Sequence, residues 1–320
     1  MASLNPPVSI LIPVRNAAKT LDNAVHSILG QTYPEISEII LAVAPSDDST
    51  EDIAENFKIE DGRIQVLSNP SGKTATALNK AAEVASGEYL VRVDSHCEIP
   101  PEYVEVAIET IVRTGAGNVG GIQKAIGENT FQKAVAAAMT SRFGVGNSKF
   151  HYGGKEGPTD TVYLGVYDAV LFRELGGFDE TLVRNQDYEL NIRIRRAERI
   201  VWFNPNLVVS YFPRSNFLGL SSQYFQYGKW KRKVVVKDIR SIKIRQIIPP
   251  LNFLTFFSGT ILSLLIHPFF LFLPLTYVFA VLIACSSIPK LKLRQRLRLI
   301  LIFPTMHLSW GLGFLFGIGK

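Results

Sequence analysis

Short apolar runs alternate with amphipathic stretches through the first two-thirds of the chain. Val8-Ser-Ile-Leu-Ile-Pro13 reads as a buried strand closed by proline, and Leu21, Ala24, Val25 and Ile28 then recur at helical spacing. Residues 38–44 (EIILAVA) repeat the strand pattern. Ser49 or Thr50 caps a short helix through Ala54, with Glu51 and Asp52 in its first turn, where the macrodipole favours acids. Residues 63–67 form a short strand, 73–85 an alanine-rich helix, and Gly87 ends it. The next strand, Tyr89-Leu-Val-Arg-Val93, stops abruptly on Asp94-Ser95-His96 before Pro100 and Pro101. A helix over 101–113 and a strand over 118–123 follow. Residues 142–160 are rich in glycine and poor in pattern, as functional loops often are. A strand at 163–167, a helix at 168–175, a turn at Gly176-Gly177-Phe178-Asp179-Glu180 and a helix from Asn185 to about Ala197 complete the patterned region.

Strands alternating with helices predict an α/β fold with a mostly parallel sheet, because each right-handed crossover returns the chain in the same direction. Ligands bind such sheets at the carboxyl ends of the strands. Those ends carry Val14-Arg15-Asn16, Ser46-Asp47-Asp48 and Asp94-Ser95-His96. Neither G-x-G-x-x-G after the first strand nor G-x-x-x-x-G-K-[ST] is present, so bound phosphates need another neutralising group, most simply a divalent ion. Asp94 and His96 both suit Mn²⁺, whereas Mg²⁺ takes the carboxylate and rarely the imidazole.

Composition divides the chain. Hydrophobic residues make up 47% and charged residues 19%, yet residues 246–320 contain no Asp or Glu. No charge lies between Arg245 and Lys290, a gap of 44 residues, or between Arg298 and Lys320, a gap of 21. A spanning helix needs about 20 apolar residues. Residues 251–266 and 269–285 therefore read as two spans turned at His267-Pro268, and 299–319 as a third. Within the net charge of +6, eight cations between Lys229 and Arg245 face the single acid Asp238. That position, immediately before a span, assigns the run to the positive-inside signal and anionic headgroups and not to nucleic acid. The opening MASLNPPVSI has neither the basic region nor the apolar core of a leader, and Cys97 and Cys285 supply no disulfide framework. The expected organisation is a cytosolic domain over 1–217, a basic interfacial segment over 218–246 and a membrane domain over 247–320, in the cell membrane.

Several stretches together resemble the inverting family 2 glycosyltransferases, over about residues 7–235. SILIPVRNAAKTLDNAVHSILGQTYP is similar to the family's opening strand and helix. GKTATALNKAAEVASGEYLVRVDSH is similar to its G-K-x-x-A-L-N helix and metal-binding D-x-D strand. GGFDE followed by NQDYELN resembles the acceptor-side turn and the E-D motif, and Gln226-Tyr-Gly-Lys-Trp230 the Q-x-x-R-W element. The D-x-H triplet, FGVG at 143–146 and the C-terminal membrane hairpin look most like the succinoglycan-type exopolysaccharide transferases.

The resemblance implies a GT-A fold and transfer of a sugar from a nucleotide-diphosphate sugar. It implies Asp187 as the base, Asp94 and His96 at an Mg²⁺ or Mn²⁺ ion, and Pro13, Arg15, Asp47, Asp48, Lys73, Asn79, Gln226, Lys229 and Trp230 around the donor. The sequence departs from the pattern at His96 and Gln186, where relatives carry acids, and at Val43 or Ala44, where relatives carry an Asp for the base. Three spans are too few for a polymer channel, so the expected acceptor is a lipid-linked saccharide. Two alternatives stay open: a polyprenyl-phosphate sugar synthase, and a membrane-bound nucleotide-binding scaffold without catalysis.

Overall fold

Every strand read from the sequence forms in the computed structural model, which describes residues 5–317. In chain order come β1 (Val8–Val14), α1 (Leu21–Leu29), β2 (Ile36–Val43), α2 (Thr50–Glu60), β3 (Ile64–Ser68), α3 (Thr74–Val84), β4 (Tyr89–Arg92), α4 (Tyr103–Thr114) and β5 (Asn118–Ala125). Next are α5 (Thr130–Met139), the short helical turns α6 (Arg142–Val145) and α7 (Lys149–Tyr152), β6 (Gly157–Pro158), β7 (Tyr163–Asp168), α8 (Ala169–Glu174), α9 (Gln186–Arg196) and β8 (Val201–Tyr211). The last helices are α10 (Phe217–Lys237), α11 (Ile244–Leu265), α12 (Phe272–Ser287) and α13 (Leu293–Phe316).

The chain divides into two units, residues 5–124 with 153–210, and residues 125–152 with 211–317. The first holds the sheet, in the order β3-β2-β1-β4-β7-β5-β8-β6. β1 pairs in parallel with β2 and β4, and β2 with β3, whereas β7 runs antiparallel to both β4 and β5. The βα repeats thus build the parallel half, and the second half is mixed. β1 shows why both faces must be covered. Val8, Ile10, Ile12 and Val14 pack with Leu21, Val25 and Ile28 of α1, while Leu11 points the other way, against Ala75, Leu78 and Ala81 of α3. Burying each such Leu or Ile contributes about 1.5–3 kcal/mol. The result is a platform on which β1, β2 and β3 end level at Val14, Val43 and Ser68, while β4 stops earlier, with Arg92 opposite Leu11.

In the second unit Leu299, Ile302, Phe303 and Met306 of α13 form a core with Phe131, Val135, Leu220 and Tyr224. α10 and α13 touch backbone to backbone: a Cβ at Gly228 would lie 2.0 Å from the Trp310 carbonyl oxygen, and one at Gly313 would lie 2.1 Å from that of Phe225. Three helices, Ile244–Leu265, Pro268–Ser287 and Leu293–Phe316, are long and apolar enough to cross a membrane. Large side chains such as Leu264, Leu265 and Phe279 stand exposed on them. The turn falls at His267-Pro268 as the sequence reading expects, but the first and third helices begin about one to two turns earlier. The expected third span reaches 319, and residues 318–319, like 1–4 of the opening segment, lie outside the described residues. The sequence reading does not contain β8, α5 or α10; it treats 218–246 as an interfacial segment, and the boundary at 217 coincides with the first residue of α10.

Candidate active site

The carboxyl ends of the parallel strands open onto a cleft of about 280 Å³, lined by residues that include Pro13, Arg15, Ala44, Lys73, Arg92, Asp94, His96, Arg184 and Gln186. β4 delivers the centre of it. After Arg92 the chain makes a tight turn, closed by the Cys97 N–H donating to the Asp94 carbonyl at 2.9 Å, and Thr20 fixes it by donating to the Ser95 carbonyl at 2.9 Å. Asp94, His96 and Cys97 place their ligating atoms within 4.8 Å of one another. Cys97 is a poor candidate for the third position: it is fully buried beside the Tyr163 hydroxyl, and burial pushes its thiol up to about 12. The carboxylate of Asp94 and the exposed imidazole of His96 remain as a donor pair.

Arg92 closes β4 and Asp94 follows two residues on, before the turn, near enough for the two side chains to pair. The Arg92 Nε donates to Asp94 Oδ1 at 2.8 Å, and its other arm, Nη1, donates to Asp187 Oδ1 at 2.5 Å. Asp187 sits in the first turn of α9, after Asn185 has turned the chain with a φ of 63°. Its Oδ1 also faces the Tyr167 hydroxyl at 3.5 Å. Burial opposes ionisation of Asp94, but Arg92, then His96 and Arg184, outweigh it and hold the carboxyl below its usual range. Glu189, the other acid of that turn, is bound to Arg193, whose guanidinium also holds the carbonyls of Leu175 and Gly177.

Among the residues expected at the donor, Pro13, Arg15 and Lys73 line the cleft. Arg15 lies along Gly72, whose φ of 66° admits no side chain comfortably and whose Cβ would meet the guanidinium at 3.0 Å. Asp47 and Asp48 tie loops together: Asp47 exchanges hydrogen bonds with Asn16, and Asp48 accepts from Ala18 N–H and from Thr50 at the start of α2. Ala44, immediately after β2, forms part of the cleft wall. Gln226, Lys229 and Trp230 belong to the second unit. On α10, Trp230 Nε1 donates to Gln226 Oε1 at 3.2 Å, and the ammonium groups of Lys229 and Lys233 lie 6.0 and 4.9 Å from the Trp230 ring.

Asn79 holds the GGFDE turn. Its amide donates to the Phe178 carbonyl at 2.8 Å and to Glu180 Oε1 at 3.0 Å, and its Oδ1 accepts from the Phe178 N–H at 2.8 Å. Gly177, with φ of 64°, leaves room for that amide. Asn79→Ala is expected to cost about 1–3 kcal/mol of stability, read as a lowered thermal midpoint; an unchanged midpoint would contradict this role.

Arg92, Tyr167 and Arg184 are site residues that the sequence reading does not single out. A usable signal existed for the first. An arginine inside an apolar strand buried on both faces needs anionic partners, and its two-residue spacing from Asp94 names one of them.

The mixed sheet with an acid-bearing turn after β4 and an acid-bearing helix start is the GT-A architecture. It is shared with the mannosyltransferase PcManGT from Pyrobaculum calidifontis, solved in complex with GDP-Man and Mn²⁺, at a TM-score of 0.65 and 16% identity over 98% of this chain and 88% of that one. S. aureus TarS 1-349 matches at a TM-score of 0.54 and 18% identity over 96% and 90%. The chain belongs to glycosyl transferase family 2, whose model matches residues 9–176. The succinoglycan biosynthesis protein ExoA of Rhizobium meliloti (strain 1021) is 32% identical over 242 residues, 75% of this chain and 73% of that one. A dolichyl N-acetyl-alpha-D-glucosaminyl phosphate 3-beta-D-2,3-diacetamido-2,3-dideoxy-beta-D-glucuronosyltransferase of Methanococcus voltae is 27% identical over 325 residues, 98% and 97% of the two chains. The protein is a glycosyltransferase of polysaccharide or glycoconjugate biosynthesis.

Proposed function

We propose that the chain is a membrane-anchored inverting glycosyltransferase that moves one sugar from a nucleotide-diphosphate sugar to a lipid-linked saccharide. The observation that carries this reading is the pairing of Asp94 and Asp187, from separate elements, through one guanidinium beside a cationic cleft. Transfer needs charge neutralisation at a leaving diphosphate and a base for the incoming hydroxyl. Arg15, Lys73 and Arg184 bring positive charge to the cleft, and Thr74 brings the first turn of α3, with its positive dipole end. Asp94 and His96 would hold a divalent cation, Mn²⁺ suiting both donors, and the cation would supply Lewis-acid charge to the leaving oxygens. Asp187 takes the acceptor proton as the hydroxyl attacks C1 from the face opposite the leaving group. A single displacement inverts the anomeric centre.

Three apolar helices support membrane anchoring, and the basic stretches before the first helix and at the start of the third support a cytoplasmic catalytic domain through the positive-inside rule. The name of the Methanococcus voltae relative includes dolichyl N-acetyl-alpha-D-glucosaminyl phosphate, which favours a lipid-linked saccharide here over a bare lipid phosphate. Confinement to one membrane raises the acceptor's effective concentration at the site. In a screen of nucleotide-sugars with Mn²⁺, one donor is expected to raise the thermal midpoint of the detergent-solubilised protein and to be slowly hydrolysed. A screen in which no nucleotide-sugar binds would overturn the reading.

A further inference from the structure

We infer that Arg92 is a positioning residue that fixes which oxygen of each essential carboxylate is available for chemistry. Both acids give Arg92 their Oδ1: Asp94 at 2.8 Å to Nε and Asp187 at 2.5 Å to Nη1. The Tyr167 hydroxyl approaches the same Oδ1 of Asp187. No hydrogen bond to either Oδ2 is found among the described residues. One oxygen of Asp94 is thus left for a cation and one oxygen of Asp187 for the acceptor proton. Arg92 is suited to this because it is enclosed: its side chain is only 9% exposed, and its guanidinium lies 6.0 Å from the Phe178 ring. Phe178 is itself held through its backbone by Asn79. The G-K-x-x-A-L-N helix and the GGFDE turn therefore support the two carboxylates through Arg92.

The role rests on the proposed assignment of Asp187 as base, and the test separates the two. Arg92→Met and Arg92→Lys are compared with Asp187→Asn, with turnover normalised to sites that bind UDP or GDP. Arg92→Met is expected to lose about 10²-fold in turnover per binding site, the usual cost of a small misplacement of reacting groups. Its KM for the nucleotide-sugar should change by less than about threefold. With a repelling cation removed, calorimetry in UDP or GDP should show Mn²⁺ binding about tenfold tighter. Arg92→Lys keeps a cation but not the two-armed geometry, and should lose turnover without the gain in Mn²⁺ affinity. It carries the test where Arg92→Met fails to fold. Wild-type turnover per site in either folded variant would overturn the role, as would loss of turnover and of Mn²⁺ binding in step. If Asp187→Asn turns over at the wild-type rate while Arg92→Lys is slow, the base assignment fails and Arg92 acts through Asp94 alone.

Discussion

Asp187→Asn is expected to lower transfer about 10³-fold, within the range a general base contributes, while nucleotide binding stays intact. The substitution is nearly isosteric. Asn keeps an oxygen that accepts from Arg92 Nη1, and Asp94 still partners the buried guanidinium, so the cleft retains its shape. What is lost is the negative charge and the ability to take a proton from the acceptor. Single-turnover transfer, compared with UDP or GDP affinity by calorimetry, separates the two effects. Transfer at the wild-type rate would remove Asp187 from the reaction and leave Glu189 as the nearest other acid of that helix turn, although Arg193 already occupies it.

Asp94→Ala is expected to fail in a different way. Losing the carboxylate should abolish Mn²⁺-dependent nucleotide binding and lower turnover about 10²-fold or more, since a cation's charge at a leaving group is worth several kcal/mol. The variant also leaves Arg92 with one partner instead of two, so a drop in thermal midpoint should accompany the kinetic loss. Chelation of the wild-type protein should reproduce the kinetic loss and not the midpoint shift, and Mn²⁺ should restore activity. Full activity in chelator would leave Arg15, Lys73 and Arg184 to carry the leaving charge alone.

The parallel half of the sheet can be read from the chain because β1, β2 and β4 are apolar on both faces and bounded by turn residues, so local pattern and tertiary burial agree. β8 is harder to see. Pro205 interrupts VWFNPNLVVSY, and a proline argues against a strand unless its missing donor falls where none is needed. The pairing with β6 ends at Phe203 and Trp202, so Pro205 lies beyond it. α10 escapes for another reason. Past Leu220 and Tyr224, its contact with α13 passes to backbone at Gly228, and a glycine contributes nothing to an apolar stripe. α5 did carry a signal, the Asn129-to-Gln132 capping box, at the start of an alanine-rich run.

At the site, Asp94 and Asp187 stand out by spacing and motif. The sequence alone does not show that they share a guanidinium, because a two-residue spacing links Arg92 to Asp94 but no local pattern links it to α9, 95 positions away. The same limit applies to Asn79. Its motif places it near the donor, whereas its three hydrogen bonds show it holding the turn that carries Phe178.

The most direct measurement is transfer of a labelled sugar from its nucleotide-sugar into the organic-extractable fraction of membranes that contain the protein, with the product's anomeric configuration read by NMR. Expected is one sugar added to a lipid-linked saccharide, with the anomeric configuration inverted relative to the donor and the label absent from membranes carrying Asp187→Asn. Nucleotide binding without any labelled product, label on a bare polyprenyl phosphate, or a product that retains the donor's configuration would each contradict it.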